Sequence, residues 1–322
     1  MPAAVCEYTM AAEGLLVVDK PAGLTSHDVV QAVKRRLRVK RAGHLGTLDP
    51  MATGVLVICI GAATKAAQFL AGHIKEYEGT MVLGAQTDTW DAEGKITAQQ
   101  DSSAVTENMI RETFAGMLGE MELAAPVYSA IKQGGRPLYK KARKGEAVNS
   151  PIRLMRIYSL ELLSFKSPRV AFGCTVSPGT YVRSIAMEAG TRLGAGAYLE
   201  TLRRTRSGPF GIEDAVSLAK LESETDIGLI LEKLVPLRSA LSAIPEFLLD
   251  WEAAARVQDG RIISEQELES GKVRLIGDEA AKLLKAVNPK GEIVAIMKQE
   301  IGEIGAREWK PVRVWKREAP DF

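Results

Sequence analysis

Three cysteines in 322 residues, Cys6, Cys59 and Cys174, are too few and too far apart for a disulfide framework or a zinc knuckle. The three histidines, His27, His44 and His73, have no partner His or Cys at ligand spacing, so a metal site is not expected. No apolar run approaches the ~20 residues of a membrane span. The opening MPAAVCEYTMAAE has neither the basic start nor the long apolar middle of a signal peptide. GAATKAA at 61–67 lacks the GxxxxGK[ST] spacing of a phosphate loop. There is no internal repeat and no low-complexity tract. These absences predict a cytoplasmic protein that is not held at a membrane.

What is present is an ordinary globular composition, 46% hydrophobic and 25% charged, in a chain long enough for two domains. The net charge of +2 hides an asymmetry: residues 1–210 carry 26 Lys/Arg against 19 Asp/Glu, residues 211–322 only 16 against 21. The basic residues cluster in KRRLRVKR (34–41), KQGGRPLYKKARK (132–144) and RRTR (203–206). Interleaved with Gly, Tyr and Leu, they suggest a polyanion-binding surface, against the plainer reading of a solvated helix face.

Periodicity predicts a strand at 15–19, a Pro/Gly turn, and a helix capped by Thr25 or Ser26 with Val29, Val30, Val33 and Leu37 inward. Strands are expected at 55–60, 77–84 and 169–176, and helices after Thr106 and after SPGTYV. Residues 126–150 read as an exposed basic excursion. Beyond IPEFLLDW the segments VRLIG, EIVAIMK and PVRVW have strand character around a helix expected at DEAAKLL. Between the first helix and the second strand lies AGHLGTLDPMATGVL, too broken by Gly and Pro for a helix and too long for a tight turn. There Asp49 stands beside Pro50, a turn initiator on the bland reading and a displayed carboxylate on the sharper one. Tyr181 and Arg183 open a helix after a Gly turn; taken alone they read as a buried phenol and a surface cation.

LLVVDKPAGLTSHDVV, RAGHLGTLDPMATGVLVICIGAATK, KEYEGTMVLGAQTDTWDAEG, APVYSAIKQGGRPLYKKARKG and VSPGTYVRSIAMEAGTRLGAGAYLETLRRTRSGPF stand in this order. From about residue 14 to the end the chain resembles the bacterial tRNA pseudouridine-55 synthase family, TruB. The resemblance implies an α+β fold: a mixed, mostly antiparallel sheet with flanking helices in a catalytic domain over 14–247, then a small barrel-like PUA module over 248–322. Residues 1–13 fall outside it and are expected to be disordered.

It also implies a cofactor-independent isomerase that flips uridine 55 out of the TΨC loop of tRNA, breaks its N1–C1′ bond and rejoins the base through C5. By resemblance Asp49 is the catalytic aspartate, and Arg183 is its partner, expected to hold the carboxyl below its ordinary range. Tyr77 matches the tyrosine that stacks on the target base, a candidate also for the loss of the C5 proton. His44 matches a residue that enters the space left by the flipped uridine, and Tyr181 supports the pocket. Lys20 lies in a block that packs beside it. Lys132, Arg136, Lys140, Lys141, Arg143 and Lys144 are expected to grip RNA. No protein partner is implied, and the chain is expected to act as a monomer. Leu45 departs from the family, which has a small polar residue there, and puts the local hydrogen bonding of the loop in question. The alternatives are a guide-RNA-dependent synthase, a tRNA-folding chaperone and a base-excising glycosylase.

Overall fold

The computed structural model describes residues 12–129, 131–133, 135–138, 149–271, 273–278, 281–302 and 305–316, apart from the side chains at 132, 133 and 137. Lys140, Lys141, Arg143, Lys144 and the side chain of Lys132 thus lie outside the described residues, as do positions 1–11 of the N-terminal extension.

Near-continuous apolar runs, LLVV and VLVICI, make two strands buried on both faces, β1 (Gly14–Lys20) and β3 (Thr53–Ile60). They pair antiparallel from Gly14↔Ile60 to Lys20↔Gly54. Between them in sequence run helix α1 (Ser26–Leu37) and the short strand β2 (Ala42–His44), which sets His44 opposite Ile58 of β3. Thr25 caps α1 in a reciprocal box with Asp28, and the helix ends where Arg38 turns to φ +51.

The sheet continues with β4 (Lys75–Leu83), β5 (Gly119–Ala124), β6 (Ile152–Lys166), β7 (Arg169–Val176), β8 (Ala197–Ser207) and β9 (Val216–Ser217). Its order is β9-β1-β3-β8-β4-β7-β6-β5; β2 and the pair Phe210–Gly211 bring it to ten strands. Two pairings are parallel, β1 with β9 and β3 with β8. In the second, Arg204 lies opposite Gly54, while on its other side the same residue lies opposite Tyr77 of β4. A late strand thus separates two early ones and brings the loop before β3 beside β4.

Alternation decides which face each residue serves. Leu16, Val18, Leu56 and Ile58 join a core roofed by α1, α2 (Glu107–Ala115) and α3 (Val182–Arg192). Leu15, Val17, Val55 and Val57 face the other way, against Val287, Ile293, Ile296 and Trp315 of the C-terminal part. That part is a six-stranded sheet of β10 (Glu246–Leu249), β11 (Ile263–Ser264), β12 (Val273–Ile276), β13 (Leu283–Val287), β14 (Ile293–Ile301) and β15 (Arg307–Val314). Trp315 ties the two sheets by donating Nε1–H to Ala62 O at 2.9 Å.

The α+β architecture, mixed sheet with flanking helices and a smaller β module, is the one expected. Several elements differ from expectation. Leu283 and Leu284, placed in a helix by the DEAAKLL pattern, lie in β13, paired parallel to β10 and antiparallel to β14. There LLKAV is buried from its second residue on, and sheet burial overrides local helix propensity. The helices of this part are instead α4 (Trp251–Gln258), capped by Asp250, and the short helix Glu265–Glu269. Residues 126 and 129, at the start of the supposed exposed excursion, are buried. Among the described residues no helix is long and apolar enough to cross a membrane.

Candidate active site

Residues 45–52 leave β2, pass over the sheet and enter β3, and their backbone is held from beneath at nearly every step. Lys20, fully buried at the end of β1, donates to the carbonyls of Pro21 (2.8 Å), Pro50 (3.1 Å) and Ala52 (2.6 Å). Ser26 Oγ donates to Leu48 O at 3.0 Å and accepts from Leu48 N–H at 2.8 Å. Arg204, also fully buried, donates from Nε to Val55 O (2.6 Å), from Nη2 to Gly46 O (3.1 Å) and from Nη1 to Thr47 O (3.5 Å). Gly23 N–H reaches Pro50 O at 2.9 Å. Buried carbonyls need such partners.

Glycine is required at both ends. Gly46 has φ +86. Gly54 has φ +98, and a Cβ there would lie 2.2 Å from Arg204 O, so the parallel strands can meet only at a glycine.

The held loop offers one carboxylate. Asp49 Oδ1 accepts from Arg183 Nη2 at 3.0 Å, with the aspartate side chain 30% exposed and the arginine 3%. Arg183 stands in the first turn of α3, after the turn that Gly179 makes possible with φ +81. Its guanidinium is held through both terminal nitrogens: Nη2 also reaches Tyr128 O (3.0 Å), while Nη1 reaches Thr89 O (3.0 Å) and Asp91 Oδ2 (3.2 Å). Asp91 is fixed in turn, its Oδ1 accepting from Thr89 Oγ1 (2.5 Å) and Glu93 N–H (3.1 Å). Between Thr89 and Asp91, Trp90 takes φ +64, a conformation rare for a bulky residue.

The electrostatics correct one expectation. Burial drives the Asp49 carboxyl above its ordinary range; Arg183 pulls it down, Asp91 pushes it further up, and the net direction is upward. Lys20 is pushed down to about 8 by burial, with Asp49 opposing. Burial raises the phenols of Tyr77 and Tyr181, and the Asp49 charge adds to both. His44 is lowered by burial and by Arg204 and His27, so its imidazole favours the neutral form.

The structure therefore brings Arg183, Tyr77, Tyr181 and Lys20 within electrostatic reach of Asp49. His44 flanks them at the end of β2. Lys20 lies under the loop, with its donors spent on carbonyls, and not at its surface. Arg136 is exposed and lies opposite Gln133 in a short antiparallel strand pair. Leu45 is explained by alternation: it points away from the site into the core shared by both sheets, and its N–H reaches Val57 O at 2.8 Å.

The cluster RRTR, read as part of a polyanion surface, is largely spent internally. Arg203 pairs with Asp19 at 2.9 Å, Arg204 is buried, and Arg206 pairs with Glu213 at 2.9 Å. Asp91, Ser26 and Arg204 were missed as site residues. The alternation that would have shown Arg204 facing inward is broken by irregularities at 199/201 and 204/206.

Residues 34–182 match the TruB family pseudouridylate synthase N-terminal domain, and residues 183–242 match the tRNA pseudouridylate synthase B C-terminal domain. A protein named tRNA pseudouridine synthase B from Geotalea uraniireducens is 43% identical over 272 residues, 84% of this chain and 88% of its own. One of the same name from Aromatoleum aromaticum is 42% identical over 83% of this chain and 86% of its own. Among solved structures, the archaeal box H/ACA sRNP Nop10-Cbf5 complex contains a chain that matches with TM-score 0.69 and 27% identity, covering 94% of this chain and 86% of that one. A Cbf5-Nop10-Gar1 complex matches with TM-score 0.70 and 27% identity over 96% and 86%. A clamped aspartate loop, its buried arginine and relatives of over 40% identity lead to one conclusion: this chain is a pseudouridine synthase of the TruB family.

Proposed function

We propose that this enzyme isomerises uridine 55 in the TΨC loop of tRNA to pseudouridine, with Asp49 as the catalytic carboxylate. The observation that carries the reading is the Asp49 carboxylate itself, held on a clamped loop and bonded to a buried guanidinium. In the reaction the N1–C1′ bond breaks, a C5–C1′ bond forms, C5 loses its proton and N1 gains one, so atoms balance without a cofactor. Extrusion of the base costs a few kcal/mol, and stacking on an aromatic ring returns ~1–3 kcal/mol, a role suited to Tyr77. A carboxylate raised by burial is a stronger base and nucleophile than a surface aspartate, and Arg183 keeps it from being lost to protonation.

Tyr181 supports the pocket, and His44, neutral, fills the place of the extruded uridine. Lys132, Arg136, Lys140, Lys141, Arg143 and Lys144 grip the phosphates, while residues 248–322 act as a PUA-like RNA-binding module behind a catalytic domain of 14–247. The enzyme works as a cytoplasmic monomer. The higher identity to the proteins named tRNA pseudouridine synthase B than to the chains of the box H/ACA sRNP Nop10-Cbf5 and Cbf5-Nop10-Gar1 complexes favours this reading over a guide-dependent one. The test is incubation with an unmodified tRNA transcript and mapping of pseudouridine: product at the TΨC-loop uridine without guide RNA supports it, and full activity in Asp49→Asn overturns it.

A further inference from the structure

Arg204 is a buried cation whose bonded partners are carbonyl oxygens, a costly arrangement if packing were its purpose, because an apolar side chain of similar volume is often as stable or more so. Its position suggests what the cost serves. The backbone of Arg204 is laddered to Gly54 on one side and to Tyr77 on the other. Its guanidinium grips Gly46, Thr47 and Val55, on both flanks of Asp49, and its charge also acts on the Tyr77 phenol. One residue is thus fastened to both halves of the site.

We infer that Arg204 is a positioning residue that sets the Asp49 loop at a fixed height against the Tyr77 ring. The inference rests on the roles proposed above for Asp49 and Tyr77. The left-handed turn at Gly46 makes its carbonyl available to Nη2, so the contact can be disturbed from either partner. Lysine keeps the charge of Arg204 but has no planar fork to hold carbonyls of two loop segments at once. A loop displaced by about 1 Å costs on the order of 100-fold in rate.

Two variants test this with single-turnover rate, tRNA dissociation constant and thermal midpoint measured together. Arg204→Lys changes the clamp. Gly46→Ala disturbs it from the loop side, where an added Cβ finds its nearest atoms at 3.5 and 3.6 Å, ordinary contact distances, and the disturbance comes from φ +86. The expected result is a rate lowered by about 100-fold in Arg204→Lys and at least about tenfold in Gly46→Ala, with tRNA affinity within about twofold of wild type. Wild-type rates in folded Gly46→Ala, or losses that only track tRNA affinity or unfolding, would overturn the inference even if Arg204→Lys proved too unstable to assay. Asp49→Asn is run beside them: an active Asp49→Asn removes the underlying site reading, whereas an inactive one with unaffected clamp variants removes Arg204 alone.

Discussion

Asp49 and Asp91 occupy the two terminal nitrogens of a single guanidinium, Oδ1 of the first 3.0 Å from Arg183 Nη2 and Oδ2 of the second 3.2 Å from Nη1. Asp91 is the inner of the two, 5% exposed, and it orients the arginine that bonds Asp49. Replacing Asp91 by Asn removes a buried charge partner while leaving the Thr89 and Tyr128 carbonyls in place. The expected outcome is a kcat lower by about 10–100-fold with little change in KM, and a thermal midpoint lower by several degrees, because Arg183 is left with a buried charge less well compensated. Steady-state kinetics and thermal unfolding of Asp91→Asn check both.

The acid limb of the rate follows from the raised Asp49. Activity needs the carboxylate, so it falls as pH drops through a value above the ordinary carboxylate range. The charge of Asp91 is one of the raising influences, so Asp91→Asn moves the limb to lower pH. Single-turnover rates between pH 4 and 8 for both proteins would reveal the shift, and a limb that moved upward would contradict the assignment.

Stability has the opposite sign at the same residue. A group whose folded value is raised contributes stability below its unfolded value and loses it as pH rises through the folded one, so ionised Asp49 weighs against the fold at neutral pH. Asp49→Asn is therefore expected to be inactive yet no less stable than wild type, with a thermal midpoint equal or a few degrees higher at pH 7. A clear fall in the midpoint would mean that the ion pair with Arg183 outweighs burial.

Gly54→Ala should fail for a steric reason. The new Cβ would sit 2.2 Å from Arg204 O at φ +98, so β3 and β8 must part at the one place where they pair in parallel. We expect a loss of about 3 kcal/mol or more in denaturant unfolding together with loss of activity. Gly43→Ala, where a Cβ meets nothing within 4 Å, serves as the comparison and should unfold like wild type.

The parts of this molecule legible in its sequence were those governed by local rules. The Thr25 cap, the apolar runs of β1 and β3 and the alternation of β7 follow from short-range sterics and burial. The role proposed for Asp49 is suggested only by the resemblance of its whole segment, since Asp-Pro in a loop is by itself a common turn. Arg204 and Asp91 were not legible, for a different reason. Arg204 stands in a basic run that looks solvated, and its burial depends on which strands flank β8. Asp91 looks like one more turn carboxylate until α3 brings Arg183 to it. The upward direction of Asp49 was hidden likewise, because desolvation is a property of the assembled cleft and a neighbouring arginine in the motif suggests the reverse.

The placement of β8 between β3 and β4 also bears on how the enzyme is made. Asp49 and Tyr77 leave the ribosome early, but Arg183 follows Asp49 by 134 residues and Arg204 follows Gly46 by 158. Until those residues emerge, the nascent chain has strands β3 and β4 with nothing to hold them side by side, and an aspartate loop without its clamp. A translating polysome therefore carries the aspartate for about half of its length without the residues that clamp it, and the loop can be clamped only when nearly two thirds of the chain has been synthesised.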